Sequence, residues 1–309
     1  MFKKPKEKLT GKKKYDMITE TAYGILEIVA LPVIYFLVRD VIALRKNLME
    51  LNPTYEFPQI SDLKVVPFFL VAVLVFRFIT IAIFTKLGSI IMADKYKHPK
   101  TPGDTELAKV LPKKIGYRFY KLIMYIGMCT YSYLVLKDKD YFPRTLGGKG
   151  NLYNMYKAGY PNSYYFKRDN AFDTFYLFAL ATSISDFIGL LMEYGNQSDF
   201  MNMVLHHTCE MSLIVFSYLT NYSPVGSIVL YLHNISDIPN HFTKLFLRIE
   251  IPEIFTNIAG ITFMISFLYF RNFVFIQILS AIYYGIYWKW SWVTTSLVLF
   301  LVFLFIMNF

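Results

Sequence analysis

Long apolar blocks recur along the chain and constrain its fold more than any other feature. The composition is 55% hydrophobic, above the 45–50% apolar content typical of soluble domains. A membrane-spanning helix needs about 20 mostly apolar residues, and the sequence predicts eight such spans. They are 23–44, 65–92, 115–136, 171–194, 200–220, 226–247, 254–270 and 290–309. The apolar, aromatic stretch 272–288 fits a lumenal cap, a re-entrant piece or an extra span. The predicted fold is therefore an all-α, polytopic membrane helical bundle.

Positive charge is concentrated beside the apolar blocks. Of the formal net charge of +10, seven lysines lie in the first 14 residues and six between Lys95 and Lys114. Such runs can bind nucleic acid, but their position favours topology signals that hold both segments in the cytosol. They can also attract anionic lipid head groups or an acyl-CoA. Two spans between the runs, and eight in total, place both termini in the cytosol.

The predicted organisation has three parts and no linker between them. Residues 1–22 form a basic cytosolic N-terminus, 23–112 two leading membrane helices with a cytosolic loop, and 113–309 a catalytic membrane domain. Cys129 and Cys209 both lie in apolar blocks. Two such thiols make neither a disulfide framework nor a zinc pattern.

The fifth predicted span carries an adjacent histidine pair, His206 and His207. Glu210 follows at a spacing of three to four residues, so it shares a helix face with either histidine. Ionisable groups are costly inside a membrane and usually face the bundle interior, water or one another. A single buried histidine is commonly a packing residue, but an adjacent pair with a carboxylate indicates a functional site.

The sixth predicted span carries a polar stripe formed by His233, Asp237 and His241, which are four residues apart. A short turn joins this span to the fifth, so the two helices should pack as antiparallel neighbours. The histidine pair should then lie within reach of Asp237. A carboxylate beside an imidazole fixes its tautomer and raises its basicity. The pattern predicts a general base in a dry cavity, suited to an amine or a hydroxyl.

Metal binding is the sharper alternative for these residues. Five histidines are too few for the repeated boxes of a paired-iron site, but a single zinc on three histidines and Asp237 stays open. Elsewhere, Asp186 and Glu193 either line the same cavity or sit at the membrane interface. Arg77 is expected to extend its charged end toward the interface.

The segment from Ser198 to Lys244 resembles the signature of the ceramide synthases, which belong to the TLC-domain superfamily. The matching elements are His206-His207, Ser217-Tyr218, Gly226, His233-Asn234-Ile235-Ser236-Asp237 and Lys244. The resemblance covers about Lys113 to Phe309 and implies a six-helix core, preceded here by about two N-terminal helices. Asn234 replaces an aspartate of the family motif and cannot act as a carboxylate.

The resemblance implies acyl-CoA-dependent N-acylation of a sphingoid base (sphinganine, sphingosine or phytosphingosine) to form a ceramide in the endoplasmic reticulum membrane. Fatty acyl-CoA would be a co-substrate, with no tightly bound cofactor, no metal and no nucleic acid. A homodimer or heterodimer is left open. The expected catalytic residues are His206, His207, His233 and Asp237, supported by Asn234, Ser236, Glu210, Ser217 and Tyr218. The alternatives are a non-catalytic TLC protein that binds lipid or alters membrane composition, and a zinc-dependent lipid hydrolase.

Overall fold

The structure is a computed structural model that describes residues 35, 38–47, 49–50, 57–156, 169–193, 200–286, 295, 297–299 and 301–302. The basic N-terminus and most of the first and eighth predicted spans lie outside these residues. Within them the chain is helical and contains no β-strand; Met92–Ile249 and Pro143–Gly150 form isolated bridges. The predicted all-α class is confirmed.

Seven α-helices, labelled here in chain order, carry the architecture of the described part. They are α1 (Val66–Ile91), α2 (Pro102–Leu136), α3 (Asn170–Glu193), α4 (Phe200–Leu219), α5 (Ser223–Phe246), α6 (Glu253–Ser266) and α7 (Phe275–Ile286). Short 3-10 turns cover Ile60–Val65, Arg144–Leu146 and Leu152–Tyr156. A single helical turn at Asp94–Lys97 precedes α2, and a π-helical segment, Phe267–Val274, joins α6 to α7. The second, fourth, fifth and sixth predicted spans match α1, α3, α4 and α5 closely.

Two predicted boundaries are wrong. Helix α2 begins at Pro102 rather than near Ile115, because Thr101 caps it by accepting a hydrogen bond from the Asp104 backbone N–H at 3.1 Å. Pro112 lies inside this helix without ending it. The seventh span does not stop at Phe270 but continues through the π-helical segment to Ile286.

Four of the described segments are long and apolar enough to cross a membrane: Ile60–Ile91, Pro102–Leu136, Asn170–Met192 and Glu253–Tyr284. Helices α4 and α5 have the length, but their histidines and acidic residues lower their hydropathy. Large apolar side chains such as Phe68 and Ile90 on α1 and Ile265 on α6 face outward with more than half of their surface exposed. Outward apolar faces of this kind suit contact with lipid.

Helix α5 lies at the centre of the packing. Helices α1, α2, α5, α4 and α3 contact one another in that order, α3 closes the ring against α1, and α6 packs on the other side of α5. Close approach of α1 and α2 depends on Gly116, because a Cβ there would lie 2.8 Å from the Ile81 carbonyl oxygen. The fully buried aromatic core, which includes Tyr141, Phe175 and Tyr176, lies at the end of the bundle that holds the α4–α5 turn. That end is called the turn end below.

Candidate functional site

A tight turn between α4 and α5 makes the two helices antiparallel neighbours, as predicted from the short connection. Helix α4 ends at Leu219 and α5 begins at Ser223. Asn221 adopts a left-handed backbone conformation with φ of 60°. The Tyr222 backbone N–H donates to the Ser217 carbonyl at 2.8 Å. The turn therefore fixes the register in which the polar residues of the two helices face each other.

Gly226 and Ser217 of the motif have a packing role at this turn. The Tyr176 hydroxyl and the Ser217 hydroxyl are 2.6 Å apart and fully buried between α3 and α4. A Cβ on Gly226 would lie 1.8 Å from the Tyr176 hydroxyl oxygen and 3.1 Å from Ser217 Oγ. Only a glycine leaves room here for the Tyr176–Ser217 hydrogen bond.

The histidine pair lies beside His233, and the three rings form one group in the middle of the bundle. The ring centroids of His206 and His207 are 5.5 Å apart, and those of His206 and His233 are 6.5 Å apart. The structure therefore brings together the two predicted spans at the residues expected from the sequence. Asn234, the position that departs from the family motif, is half-buried on α5 next to this group.

Glu210 is the carboxylate that contacts the histidine pair. Its Oε2 lies 3.2 Å from His207 Nδ1, and its Oε1 accepts a hydrogen bond from Ser183 Oγ at 2.8 Å. A carboxylate that accepts from Nδ1–H holds the imidazole in the tautomer whose Nε2 carries the lone pair. Ser183 of α3 holds the same carboxylate through its other oxygen. Ser183 was not among the residues expected from the sequence.

His233 contributes a buried ring nitrogen to the same group. Its Nε2 is buried and has no hydrogen-bond partner among the described residues. A buried polar atom left unsatisfied costs about 1–3 kcal/mol. The arrangement can therefore hold a bound molecule that supplies the missing hydrogen bond.

Asp237 forms its hydrogen bond with Arg271 rather than with a histidine. Arg271 NH2 donates to Asp237 Oδ1 at 2.8 Å, and Arg271 Nε donates to Ser236 Oγ at 2.7 Å. Arg271 is buried and lies in the π-helical segment. Such wide turns are frequent at functional sites. Sequence reasoning missed Arg271, although an arginine inside the apolar region 254–288 is the signal that could have found it.

His241 lies apart from the other histidines although it shares the α5 stripe. Its Nδ1 is 3.2 Å from Arg118 NH1, and its ring centroid is 5.1 Å from that of Tyr125. Arg118, Lys121, Lys244 and Arg248 all act on it electrostatically. Several basic side chains therefore gather around α5 at the end of the bundle opposite the turn end, and one of them, Lys121, is paired with Asp186.

A second buried polar group links α1, α2 and α3. Asp186 Oδ1 lies 2.5 Å from Lys121 Nζ and 3.9 Å from Arg77 NH1. Arg77 is 5% exposed and donates to the Ser185 carbonyl at 2.9 Å, so the expectation that it extends to the interface is wrong. The guanidinium fits because Gly189 has no side chain: a Cβ there would lie 2.0 Å from Arg77 NH2. The side chain of Glu193 lies outside the described residues.

A cavity of about 60 Å³ lies between the histidine group and the turn end. Glu210 and His233 lie at one end of it, and Tyr176, Ser217 and Tyr222 at the other. The remaining lining is almost entirely apolar and includes residues of α5, α7 and the segment near 300: Leu213, Ile214, Val225, Gly226, Val229, Leu230, Ile282, Leu297, Val298 and Leu301. Its lining suits an apolar ligand.

A metal site is not assembled in the part of the chain that the structure describes. No group of three or more His, Cys, Asp or Glu side chains is arranged there to hold an ion. The zinc set considered above does not form, because the Asp237 carboxylate contacts Arg271 and His241 lies beside Arg118. Among these residues, the carboxylate that contacts an imidazole is that of Glu210, whose Oε2 lies 3.2 Å from His207 Nδ1.

Comparison with known proteins gives a family match over the part of the chain that contains the histidine group. The family model described as the TLC domain matches residues 114–309. The chain is 25% identical over 246 residues to Ceramide synthase 1 LOH3 of Arabidopsis thaliana, covering 78% of this chain and 72% of that protein. It is 49% identical over 49 residues to human Ceramide synthase 1, covering 16% of this chain and 14% of the human protein. It is 29% identical over 111 residues to Sphingosine N-acyltransferase lag1 of Schizosaccharomyces pombe, covering 36% and 28% of the two chains.

Proposed function

The chain belongs to the TLC-domain family, and from that membership we propose that it is an N-acyltransferase. It transfers a fatty acyl group from acyl-CoA to the amine of a sphingoid base and so forms a ceramide or dihydroceramide. The relatives named ceramide synthase and sphingosine N-acyltransferase give the reaction class. The observation that carries the proposal is the Glu210–His207 pair beside His206 and His233. The family also supports a place in the endoplasmic reticulum membrane.

In the proposed reaction His207 is the general base. Its Nε2 accepts a proton from the sphingoid amine while the amine nitrogen attacks the thioester carbonyl carbon. A C–N bond forms, the C–S bond breaks, and the CoA sulfur leaves as a thiol that takes the proton back from His207. The negative Glu210 carboxylate stabilises the imidazolium that forms between these steps. The products are an amide and free CoA.

His233 is suited to stabilise the charge that develops on the thioester oxygen. Its buried Nε2 has no hydrogen-bond partner among the described residues, and its ring centroid lies 6.5 Å from that of His206. A preorganised donor aimed at a developing oxyanion is worth about 10²- to 10³-fold in rate. Asp237, held by Arg271 and one turn farther along α5, would keep this stretch of the helix in position.

His206 offers a second route, in which it acts as a nucleophile and forms a transient acyl-imidazole. Covalent intermediates of this kind give ping-pong kinetics and a burst of the first product. Rapid-mixing measurements of CoA release in the absence of the sphingoid base therefore separate the two routes. A stoichiometric burst supports the acyl-imidazole, and its absence supports direct attack by the amine.

The test of the proposed function is an acyltransferase assay on detergent-purified protein with labelled sphinganine and a panel of acyl-CoAs. Product should form with the wild-type protein and disappear in His206→Ala and His207→Ala. His98→Ala, at an exposed position outside the bundle, is the matched control and should retain activity. Normal turnover in both histidine variants would refute the assignment.

The same preparations decide between the proposed enzyme and its alternatives. Folded protein that binds lipid but makes no product with any acyl-CoA, even after Asn234→Asp, would favour a non-catalytic lipid-binding protein. Stoichiometric zinc in the purified protein, with activity lost on chelation, would favour a zinc-dependent hydrolase. Product formation without zinc would remove that alternative.

A further inference from the structure

The connection between α2 and α3 forms a second cavity, of about 600 Å³, at the turn end of the bundle. It is lined by residues 143–145 and 149–154 of this connection and by Gln277 of α7, and it is called the loop pocket below. Seven of its ten lining residues have polar side chains: Arg144, Thr145, Lys149, Asn151, Tyr153, Asn154 and Gln277. The loop pocket shares no lining residue with the cavity beside the histidine group, so it is a separate candidate site.

Backbone hydrogen bonds and a buried base hold the loop pocket in shape. The Gly150 backbone N–H donates to the Phe142 carbonyl at 2.8 Å, and the Asn151 N–H donates to the Asp140 carbonyl at 2.8 Å. The side chains of Phe142 and Leu152 are buried in the aromatic core below the loop. The pocket is therefore formed before a ligand arrives, and binding does not have to order it.

Helix α7 supplies the second wall of the loop pocket. The hydroxyl oxygens of Tyr153 and Ser280 are 3.4 Å apart, and the ring centroid of Tyr153 lies 5.9 Å from that of Tyr284. Gln277 is half-buried between these contacts. The segment Glu253–Tyr284 is long and apolar enough to cross a membrane. The loop pocket therefore lies where this segment would reach the membrane surface.

Two exposed cations, Arg144 and Lys149, line the loop pocket. Neither forms an ion pair or a hydrogen bond with another residue that the structure describes, whereas Lys139 of the same connection pairs with Asp169 at 2.6 Å. No acidic residue is among the described residues that line the pocket. Three predicted spans separate this connection from the cytosolic N-terminus and place it in the lumen, so its cations are not the cytosolic topology signals that basic residues usually provide.

We propose that the loop pocket binds the head group of an anionic phospholipid. Arg144 and Lys149 donate to its phosphate, because guanidinium and ammonium groups are common protein partners of phosphate. The amide of Gln277 is placed to bind other polar atoms of the head group. Two positive charges without a negative one favour a head group of net negative charge over a zwitterionic one.

A lipid fits this position better than a soluble anion does, because the loop pocket adjoins an outward apolar surface. Phe273 and Ile276 directly precede or lie one turn before Gln277, and both are more than half exposed. The acyl chains of the lipid lie along this surface while the head group fills the pocket. A sphingoid base does not fit, because its ammonium group would be repelled by Arg144 and Lys149.

The experiment is native mass spectrometry of the full chain in detergent, with equimolar dioleoyl phosphatidylserine and dioleoyl phosphatidylcholine. Wild type should retain phosphatidylserine in preference to phosphatidylcholine. Arg144→Gln and Lys149→Gln should each lower the ratio of the two bound lipids by about fivefold, the usual contribution of one basic residue at a membrane surface. Arg144→Lys keeps the charge and should retain most of the preference.

Lys64→Gln is the matched control for these variants. Lys64 is exposed in the 3-10 turn before α1, at the same end of the bundle, and does not line the loop pocket. It should leave the lipid ratio unchanged. An equal loss in Lys64→Gln would show a general effect of surface charge and overturn the proposal. A double variant of Arg144 and Lys149 that is folded and keeps the wild-type ratio would also overturn it.

A second arm separates a lipid from a soluble anion as the occupant. Inorganic phosphate or free CoA is added to the wild-type complex with phosphatidylserine, with the ionic strength held constant by NaCl. The proposal expects the bound lipid to remain, because neither soluble anion can occupy the outward apolar surface. Displacement of the lipid by either anion would show that the loop pocket binds a soluble phosphate and would overturn the assignment to a phospholipid.

Discussion

Glu210→Gln is the substitution that tests the arrangement of the histidine group most directly, because it removes a charge with little change of shape. Glu210 accepts from Ser183 Oγ at 2.8 Å and lies 3.2 Å from His207 Nδ1. A glutamine can keep its oxygen toward Nδ1, which preserves the geometry but removes the negative charge. It can also turn its NH₂ toward Nδ1, which forces the opposite tautomer and protonates Nε2. Both arrangements weaken His207 as a base.

The expected loss of kcat follows from the rate enhancement that general base catalysis provides. General base catalysis contributes about 10²- to 10⁴-fold, and the glutamine keeps His207 in place. We therefore expect kcat to fall about 10²- to 10³-fold, equivalent to about 3–4 kcal/mol of transition-state stabilisation. The KM for acyl-CoA should change by less than about threefold, because the substitution removes a charge beside the base and leaves the shape of the site unchanged.

The assay is initial-rate acylation of labelled sphinganine at saturating acyl-CoA, with folded protein quantified by gel filtration. Glu253→Gln is the matched control, since Glu253 is an exposed carboxylate in the first turn of α6. Ser183→Ala should give a smaller loss than Glu210→Gln, because the carboxylate itself remains. Turnover of Glu210→Gln within threefold of wild type would refute the role assigned to the pair.

Three further predictions concern stability and are read out as thermal unfolding in detergent. Arg271→Met leaves the half-buried Asp237 carboxylate without the cation that donates to it and should lower the free energy of unfolding by about 1.5–3 kcal/mol. Adding Asp237→Leu should recover most of this loss, and no recovery would contradict the pairing. Partial burial alone would raise the pKa of Asp169, but the ion pair with Lys139 and two backbone N–H donors lower that pKa below its usual range. At neutral pH the free energy of unfolding of wild type should therefore exceed that of Asp169→Asn, by less than about 1 kcal/mol. This difference should disappear as the pH falls below about 4. A difference that does not change with pH would contradict the ion pair. Gly150→Ala should destabilise by about 1–3 kcal/mol, because a Cβ there would lie 1.9 Å from a backbone carbonyl oxygen; an unchanged melting temperature would refute this steric argument.

The helices of the bundle could be predicted because a membrane-spanning helix needs a long apolar run, which is visible in the local sequence. The bounds of α3 and α4 follow almost directly from where their apolar runs begin and end. The start of α2 could not be predicted in this way, because residues 102–114 are helical through capping at Thr101 and not through hydropathy. The short turn at Asn221 was enough to predict that His206 and His233 approach each other.

The partners of the buried charges could not be predicted, because they depend on contacts between residues distant in the sequence. The burial of Arg77 requires the space left by Gly189 on α3, and nothing in the local sequence of α1 indicates that this space exists. Asp237 was expected to lie beside a histidine and orient its ring. The π-helical segment instead brings Arg271 to it, and Arg271 NH2 donates to Asp237 Oδ1. Glu210 was predicted to share a face with the histidine pair, and the structure adds the atom-level contact with His207.

The π-helical segment Phe267–Val274 contains, in effect, one residue more than a regular helix of the same rise needs. Removing a single residue from it would convert the segment to ordinary α-helix and turn everything beyond it by about 100°. Ile282 on α7 would then rotate away from the cavity that it lines, and another face of α7 would take its place. A change of one residue in chain length at this point would thus replace one wall of the cavity, without any substitution among the residues that line it.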